Sequence, residues 1–120
     1  MATISKEVLS GSTDGEPIAM PINTGTFATI HTGPSVASSY SEVWIWACNA
    51  IGTSAEVVTI RIGGTANENK IKATINPNET VLLVPGTLIK GNASTAVVID
   101  GASTSAAKVN VFGYVNQIVG

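Results

Sequence analysis

Apolar and polar residues alternate along several short segments of this chain. Every second residue is apolar in Glu56–Ile62 and in Lys70–Ile75. Successive side chains of a β-strand point to opposite faces, so this alternation predicts strands with one buried face. No segment of helix length carries an uninterrupted helical spacing of apolar positions, which predicts an all-β chain. The residues expected to face the core are Val58, Ile60, Ile62, Ile71, Ala73 and Ile75.

Turn residues divide the chain into short pieces rich in Val, Ile and Thr. Asn76-Pro77-Asn78-Glu79 is predicted as a type I turn, Pro85-Gly86 as a type II turn and Gly101–Ala107 as a loop of small residues. Short strands with frequent turns predict a β-sandwich or jelly roll, with a closed barrel as the alternative. The predicted strands are Ile18–Ile22, Thr26–Thr32, Glu42–Ile51, Glu56–Ile62, Lys70–Ile75, Thr80–Val84, Thr87–Lys90, Thr95–Ile99 and Lys108–Ile118.

The first third of the chain has a different composition. Between Ser10 and Ser39 it is rich in Gly, Pro, Ser and Thr, and it contains Pro17 and Pro21. Proline cannot donate a hydrogen bond to a central strand ladder, so this part favours edge strands and extended chain. We expect residues 1–39 to form an extended N-terminal arm with short edge strands and residues 40–120 to form the sandwich, within a single domain overall.

The strand Glu42–Ile51 is apolar on both faces. One face carries Val, Ile and Ala, and the other carries Trp44, Trp46 and Cys48. A strand with two apolar faces is expected to be buried on both. Its second face is covered either by the N-terminal arm or by another subunit, and tryptophan is enriched among the residues that anchor interfaces.

The C-terminal strand has a second aromatic face. Phe112 and Tyr114 fall on the same side of Lys108–Ile118, where they either stack beneath the tryptophans as core or belong to an interface. The candidate interface residues are Trp44, Trp46, Cys48, Phe112, Tyr114, Pro17 and Pro21.

Charge is scarce in this chain. Charged residues make up 12% of it and the formal net charge is −2. That share of charged residues is about half the usual one. It is expected either of a chain whose faces are covered by neighbouring subunits or of a soluble β-surface rich in Ser and Thr. The six basic residues are scattered, which argues against nucleic acid and an anionic membrane as partners. We expect neither a secretory signal nor a membrane span.

Chemical groups are few and dispersed. His31 is the only histidine, and no pattern supplies it with an orienting carboxylate and a nucleophile, so it is expected at the surface or on an edge strand. One His and one Cys do not make a closed zinc site, and the eight carboxylates form no calcium loop. We therefore predict no enzyme activity, no catalytic or metal residues and no cofactor.

The middle of the chain resembles a known class of proteins. Val57–Gly64 is a strand ending in Gly-Gly, Ile75–Thr80 has the hairpin pattern I-x-P-x-x-T, and Pro85–Ile89 is a closing strand. This order resembles the small β-sandwich virion proteins of tailed bacteriophages over about half of the chain, Glu42–Ile99. Head decoration (cement) proteins share it with tail and fibre modules.

The resemblance implies a structural role in the virion. It implies a decoration protein, made in the host cytoplasm, that forms a trimer on the capsid surface and bridges major capsid proteins. The alternative is a tail or fibre module that binds a host receptor or glycan through Tyr40, Trp44 and Trp46. The short chain without coiled-coil heptads favours decoration over a fibre shaft.

Overall fold

The chain folds into nine strands and one 3₁₀ turn, Asn67–Asn69, in a computed structural model that describes residues 2–51 and 53–119. Those residues contain no α-helix, which confirms the all-β prediction. The strands are β1 (Thr3–Val8), β2 (Ile18–Ala19), β3 (Ala28–Thr32), β4 (Ser39–Asn49), β5 (Glu56–Ile62), β6 (Lys70–Ile75), β7 (Thr80–Lys90), β8 (Val98–Ser103) and β9 (Val109–Val119).

The strands form two sheets in which all neighbouring strands are antiparallel. The first sheet has the order β1-β9-β4-β7, and β2 pairs with β9 beyond the end of β1. The second sheet has the order β3-β8-β5-β6. The molecule measures 50 × 26 × 21 Å along its principal axes.

The pairing pattern is that of a jelly roll. If β1 and β2 count as one interrupted strand, the first strand pairs with the last, the second with the seventh, the third with the sixth and the fourth with the fifth. Pairing of β4 with β9 and of β5 with β8 then closes two four-stranded layers. This double-sheet jelly roll confirms the predicted fold class.

The first 39 residues supply strands at the sheet edges. β1 and β2 follow one another along the free side of β9, and β3 lies at the edge of the second sheet. β1 was not predicted as a strand, and all six of its residues are exposed. The division of the chain at residue 40 stays a prediction.

The hydrophobic core lies between the two sheets. Along β4 every second side chain is buried, and Val43, Ile45 and Ala47 are fully inaccessible. Val58, Ile60 and Ile75 of the second sheet are buried as predicted, whereas Ile62, Ile71 and Ala73 pack at the margin of the core. Leu9, Met20 and Ile30 from the N-terminal segment complete the core, so that segment contributes to folding stability.

The predicted reversal at Pro85-Gly86 is wrong. β7 runs continuously from Thr80 to Lys90, and its register with β4 shifts because Val43 lies opposite Thr87 while Trp44 lies opposite Pro85. Gly86 is the extra residue, and its φ of +71° gives the strand a bulge. Glycine at a positive φ was correctly anticipated, but here the conformation bends a strand and does not reverse it.

Other boundaries also differ from the sequence predictions. β8 begins at Val98 and runs through Ser103, into the predicted loop Gly101–Ala107. Small residues occur there because the core is crowded: a Cβ on Gly101 would lie 2.9 Å from Sδ of Met20. The turn at 76–79 is present, with the Glu79 N–H donating to the Asn76 carbonyl, but φ of +62° at Asn78 makes it type II.

We expect Gly113→Ala to lower the free energy of unfolding by about 2 kcal/mol or more, because overpacking displaces the backbone. A Cβ at Gly113 would overlap the carbonyl oxygen of Trp44 on the paired strand. The matched control is Gly25→Ala, where the nearest atom is 3.7 Å away, and we expect a change within about 0.5 kcal/mol. Urea unfolding measures both, and equal losses would contradict the β4–β9 pairing.

Candidate functional site

The surface of the first sheet that faces away from the core is the most unusual part of the molecule, and we call it the outer face. It carries every second side chain of β4 and β9. These side chains are half-buried, whereas the side chains that point inward are mostly buried. The register places these residues directly opposite one another. The pairs are Tyr40 with Ile118, Glu42 with Asn116, Trp44 with Tyr114, Trp46 with Phe112, and Cys48 with Asn110.

Four aromatic rings form the centre of the outer face, and we call them the aromatic cluster: Trp44, Trp46, Phe112 and Tyr114. Neighbouring ring centroids are 6.0 to 6.4 Å apart, and the ring planes differ by 11° to 29°. All four side chains remain partly exposed. The structure thus brings together four of the residues selected from the sequence, with Cys48 in the next row.

Aliphatic side chains extend the apolar surface on both sides of the aromatic cluster. On β1, Ile4 is 67% exposed and Val8 50% exposed, and Val8 lies opposite Tyr114. On β7, Leu82 and Leu88 are exposed and share rows with Trp46 and Glu42. These four residues were missed from the sequence. Strict alternation along Thr80–Lys90 would have placed both leucines on one face, but Val84 with them. Val84 is fully buried because the register with β4 shifts a second time between Ile45 and Trp46.

Polar contacts fix the orientation of the tryptophan nearest the sheet centre. Trp44 Nε1 donates a hydrogen bond of 2.8 Å to Glu42 Oε1, and Asn116 Nδ2 donates another of 2.9 Å to the same oxygen. These two hydrogen bonds lower the pKa of Glu42, so its carboxylate is charged at neutral pH. The Trp44 ring also covers Gly86, where a Cβ would lie 2.9 Å from the ring.

The N-terminal strands lie beside the aromatic cluster and leave it uncovered. β1 extends the sheet at its edge, and from it the Lys6 ammonium reaches over the Tyr114 ring at 4.9 Å from the centroid. Pro17 is exposed and Pro21 is half-buried, and both flank β2. The Pro21 carbonyl accepts a hydrogen bond from the Ser103 N–H. A role of the prolines in an interface stays a prediction.

The second sheet carries a different surface. Arg61 donates two hydrogen bonds of 2.7 Å to Asp100 on the neighbouring strand, and its guanidinium lies 3.7 Å from the centroid of the Phe27 ring. Lys72 and Thr74 point to solvent as predicted. The two sides of the sandwich therefore differ, because the first sheet carries a cluster of four aromatic side chains flanked by exposed aliphatic ones.

His31 is buried, contrary to the expectation of a surface position. It lies on the edge strand β3 but points into the core and is 2% exposed. The Ser10 N–H donates to Nδ1 at 3.2 Å, Nε2 lies 3.3 Å from Ser41 Oγ, and Ser41 donates to Oε1 of Gln117. These directions require a neutral imidazole with its proton on Nε2, which donates to Ser41.

This network joins the two sheets. His31 belongs to the second sheet, while Ser41 and Gln117 are paired residues of the first. Ser10 also accepts a hydrogen bond from the Thr32 N–H, which fastens the N-terminal segment to β3. Ser41 is fully buried, and no carboxylate hydrogen-bonds to His31 among the residues that the structure describes. The arrangement is suited to holding the sandwich together.

Other features bear on chemistry within residues 2–51 and 53–119. There, no group of three or more His, Cys, Asp or Glu side chains is placed to hold a metal ion. The same residues form no pocket. No helix among them is long and apolar enough to cross a membrane. The outer face is accordingly the candidate functional site.

Comparison with known proteins identifies similar folds. No protein-family model and no curated protein sequence matches this chain. A mutant VP2 protein of infectious bursal disease virus, in derived T=1 particles, matches with a TM-score of 0.52 and 9% identity over 98% of this chain and 32% of that chain. The structure of the Gx strain of that virus matches with a TM-score of 0.51 and 10% identity, again over 98% of this chain and 32% of that chain. This chain thus spans about a third of the matched chains and shares their β-fold.

We expect stability to fall as the pH drops below about 6.5. Burial lowers the pKa of His31 from 6.5, and Glu7 opposes this shift only in part. The unfolded chain therefore binds the proton first, and stability present above the unfolded pKa is lost as the pH falls towards the folded pKa. The slope reaches at most about 1.4 kcal/mol per pH unit.

Urea unfolding between about pH 7.5 and pH 5 measures this dependence, since carboxylates titrate mainly at lower pH. The His31→Gln variant should lose the slope in this window, whatever its stability at pH 7.5. An unchanged slope in His31→Gln would assign the dependence to another group.

Proposed function

We propose that this chain is a structural protein of a virus particle and acts by binding other protein chains. The observation that carries the proposal is the apolar outer face on one side of a jelly roll. Jelly rolls build virus shells, lectins and cupins, so the fold by itself leaves several roles open. A continuous exposed apolar surface with aromatic residues at its centre is typical of a protein interface.

The similar structures support this choice among jelly-roll functions. Both come from one virus, and one is a VP2 protein described in derived T=1 particles. Cupins hold a metal through clustered side chains, and the described residues offer no such cluster. A role in a particle also fits the low charge, since covered faces need few charged residues.

Within a particle, we propose that the chain decorates the shell. Its sequence resembles phage head decoration proteins over about half of the chain. Such a protein would sit on the capsid surface and bridge major capsid proteins. Binding only the assembled shell stabilises that state by mass action, by about 2.7 kcal/mol for each site at a free concentration of 100 times Kd. The trimer implied by the resemblance stays a prediction.

The test is binding to shells of the same virus prepared without this chain. We expect saturable co-sedimentation at a fixed stoichiometry. Trp46→Ser should weaken binding roughly thirtyfold, as for an interface anchor worth about 2 kcal/mol. Trp46 is half-exposed, and no hydrogen bond of its indole nitrogen is seen in the part of the chain that the structure describes.

The matched control is Val98→Ser, which removes an exposed apolar side chain from the second sheet. Thermal melting should show that both variants fold. Absence of binding by the wild-type chain, or equal binding by Trp46→Ser, would contradict the proposal.

The second candidate is a tail or fibre module that binds a glycan. The half-exposed, nearly parallel rings of the aromatic cluster favour it, because aromatic faces stack on sugars. Titration with host glycans should then shift the tryptophan emission, and Trp44→Ala should abolish the shift. Unchanged emission at saturating glycan would remove this candidate.

A further inference from the structure

The charged residues of the outer face are arranged symmetrically. β9 runs between β1 and β4, and Asn116 in its C-terminal half pairs with Lys6 on one side and with Glu42 on the other. A cation and an anion therefore lie in one row, each one strand away from β9. Adjacent strands are about 4.8 Å apart, so Lys6 and Glu42 are about 10 Å apart at the backbone, on either side of Asn116.

The rows on both sides of this one are apolar. Val8, Tyr114 and Trp44 form the next row, and Ile4, Ile118 and Tyr40 form the preceding one. The central row is thus a polar strip across an apolar surface. Any partner of this surface must supply apolar contacts along most of its length, with an anion opposite Lys6 and a cation opposite Glu42.

We propose that the outer faces of two copies of this chain pack against each other about a twofold axis that runs parallel to the strands over β9. Rotation about this axis places β1 of one copy over β4 of the other. It leaves the position of each residue along the strand direction unchanged. Lys6 of each copy then lies opposite Glu42 of the other, and Tyr114 and Asn116 lie opposite their own counterparts. Twofold contacts use one patch twice, so the patch must be self-complementary.

The local contacts leave both charged groups available to the second copy. Both hydrogen bonds to Glu42 end on Oε1, so Oε2 can accept the Lys6 ammonium of the other copy. Lys6 lies over the Tyr114 ring on the outer face and has no carboxylate within salt-bridge distance among the described residues. Lys90 on β7 lies beyond the overlapping strands and stays in solvent.

The size of the surface sets the strength of such a contact. β4 and β9 each have 11 residues, which span about 36 Å at about 3.3 Å per residue. The outer strand of the overlap is shorter, because β1 has six residues and β2 has two, which together span about 26 Å. The overlap is therefore about 430 Å² per copy and about 860 Å² in total, which is below the roughly 1,000 Å² of a stable interface. Because the area is in the range of weak, transient contacts, we expect a concentration-dependent dimer. Aligned face-to-face packing of two sheets is a common arrangement.

This inference rests on the proposed function in treating the outer face as a protein-binding surface. The dimer covers Trp46, so a second copy and the shell use the same face in turn, and the weak dimer dissociates before the shell binds. A chain that dimerises without binding shells would refute the decoration role alone. A chain that binds shells as a monomer would refute the dimer alone. The two proposals therefore fail separately.

The experiment is sedimentation equilibrium of the purified chain and of charge-reversed variants. We expect the wild type to dimerise and Lys6→Glu to weaken association roughly tenfold or more, because like charges then face each other twice. Glu42→Lys should do the same, and the double variant Lys6→Glu/Glu42→Lys should recover most of the affinity. Lys72→Glu, an equal charge change on the exposed surface of the second sheet, should have no effect.

A second measurement tests the dimer even if the Glu42 variants do not fold. In a Cys48→Ser background, Asn116→Cys places the only thiol at the proposed axis, and a short bismaleimide should link two copies there but not at Lys72→Cys. The proposal would be overturned by a monomer at all concentrations or by a trimer mass. It would also be overturned if the folded double variant failed to recover affinity, or if linking were equal at both positions.

Discussion

The pairing of β4 with β9 is the constraint on which the rest of the structure depends. Each strand has 11 residues, and their register is unbroken from Ser39–Val119 to Asn49–Val109. Because side chains alternate along a strand, this single register assigns one set of residues to the core and the other to the outer face. The fully buried Val43, Ile45 and Ala47 make the register costly to change, since a shift by one residue would expose them.

The same constraint creates the candidate functional surface. Once the core residues of β4 and β9 are fixed, Trp44, Trp46, Phe112 and Tyr114 must lie together on the opposite side. No segment among the described residues covers them, because β1 and β2 extend the sheet at its edge. Burying large aromatic side chains is favourable, so a surface of this kind is most stable against another layer. This is the physical basis of the proposed assembly through the outer face.

Much of this fold could be predicted from the sequence, because the decisive signals are local. Alternation gave the bounds of Glu56–Ile62 and Lys70–Ile75 correctly. The two apolar faces of β4 indicated a second apolar surface, but not whether the N-terminal arm or another subunit covers it. Position 86 was harder, since a glycine at positive φ serves a turn or a bulge equally well and only the partner strand decides. His31 lies on an edge strand, one of the two expected positions, but its burial was not predicted because it depends on Ser10, Ser41 and Gln117, which are distant in sequence. The flanking Ile4 and Val8 were missed because β1 contributes no buried residue and so lacks the usual pattern.

Both tryptophans of the chain lie in the aromatic cluster, so tryptophan fluorescence reports on the outer face alone. The most direct test of assembly through this face is acrylamide quenching of that fluorescence, measured at high dilution and again in the assembled state. We expect efficient quenching in the dilute chain and strong protection after assembly, with a blue shift of the emission. Equal quenching in both states would show that assembly uses another surface and would contradict the account.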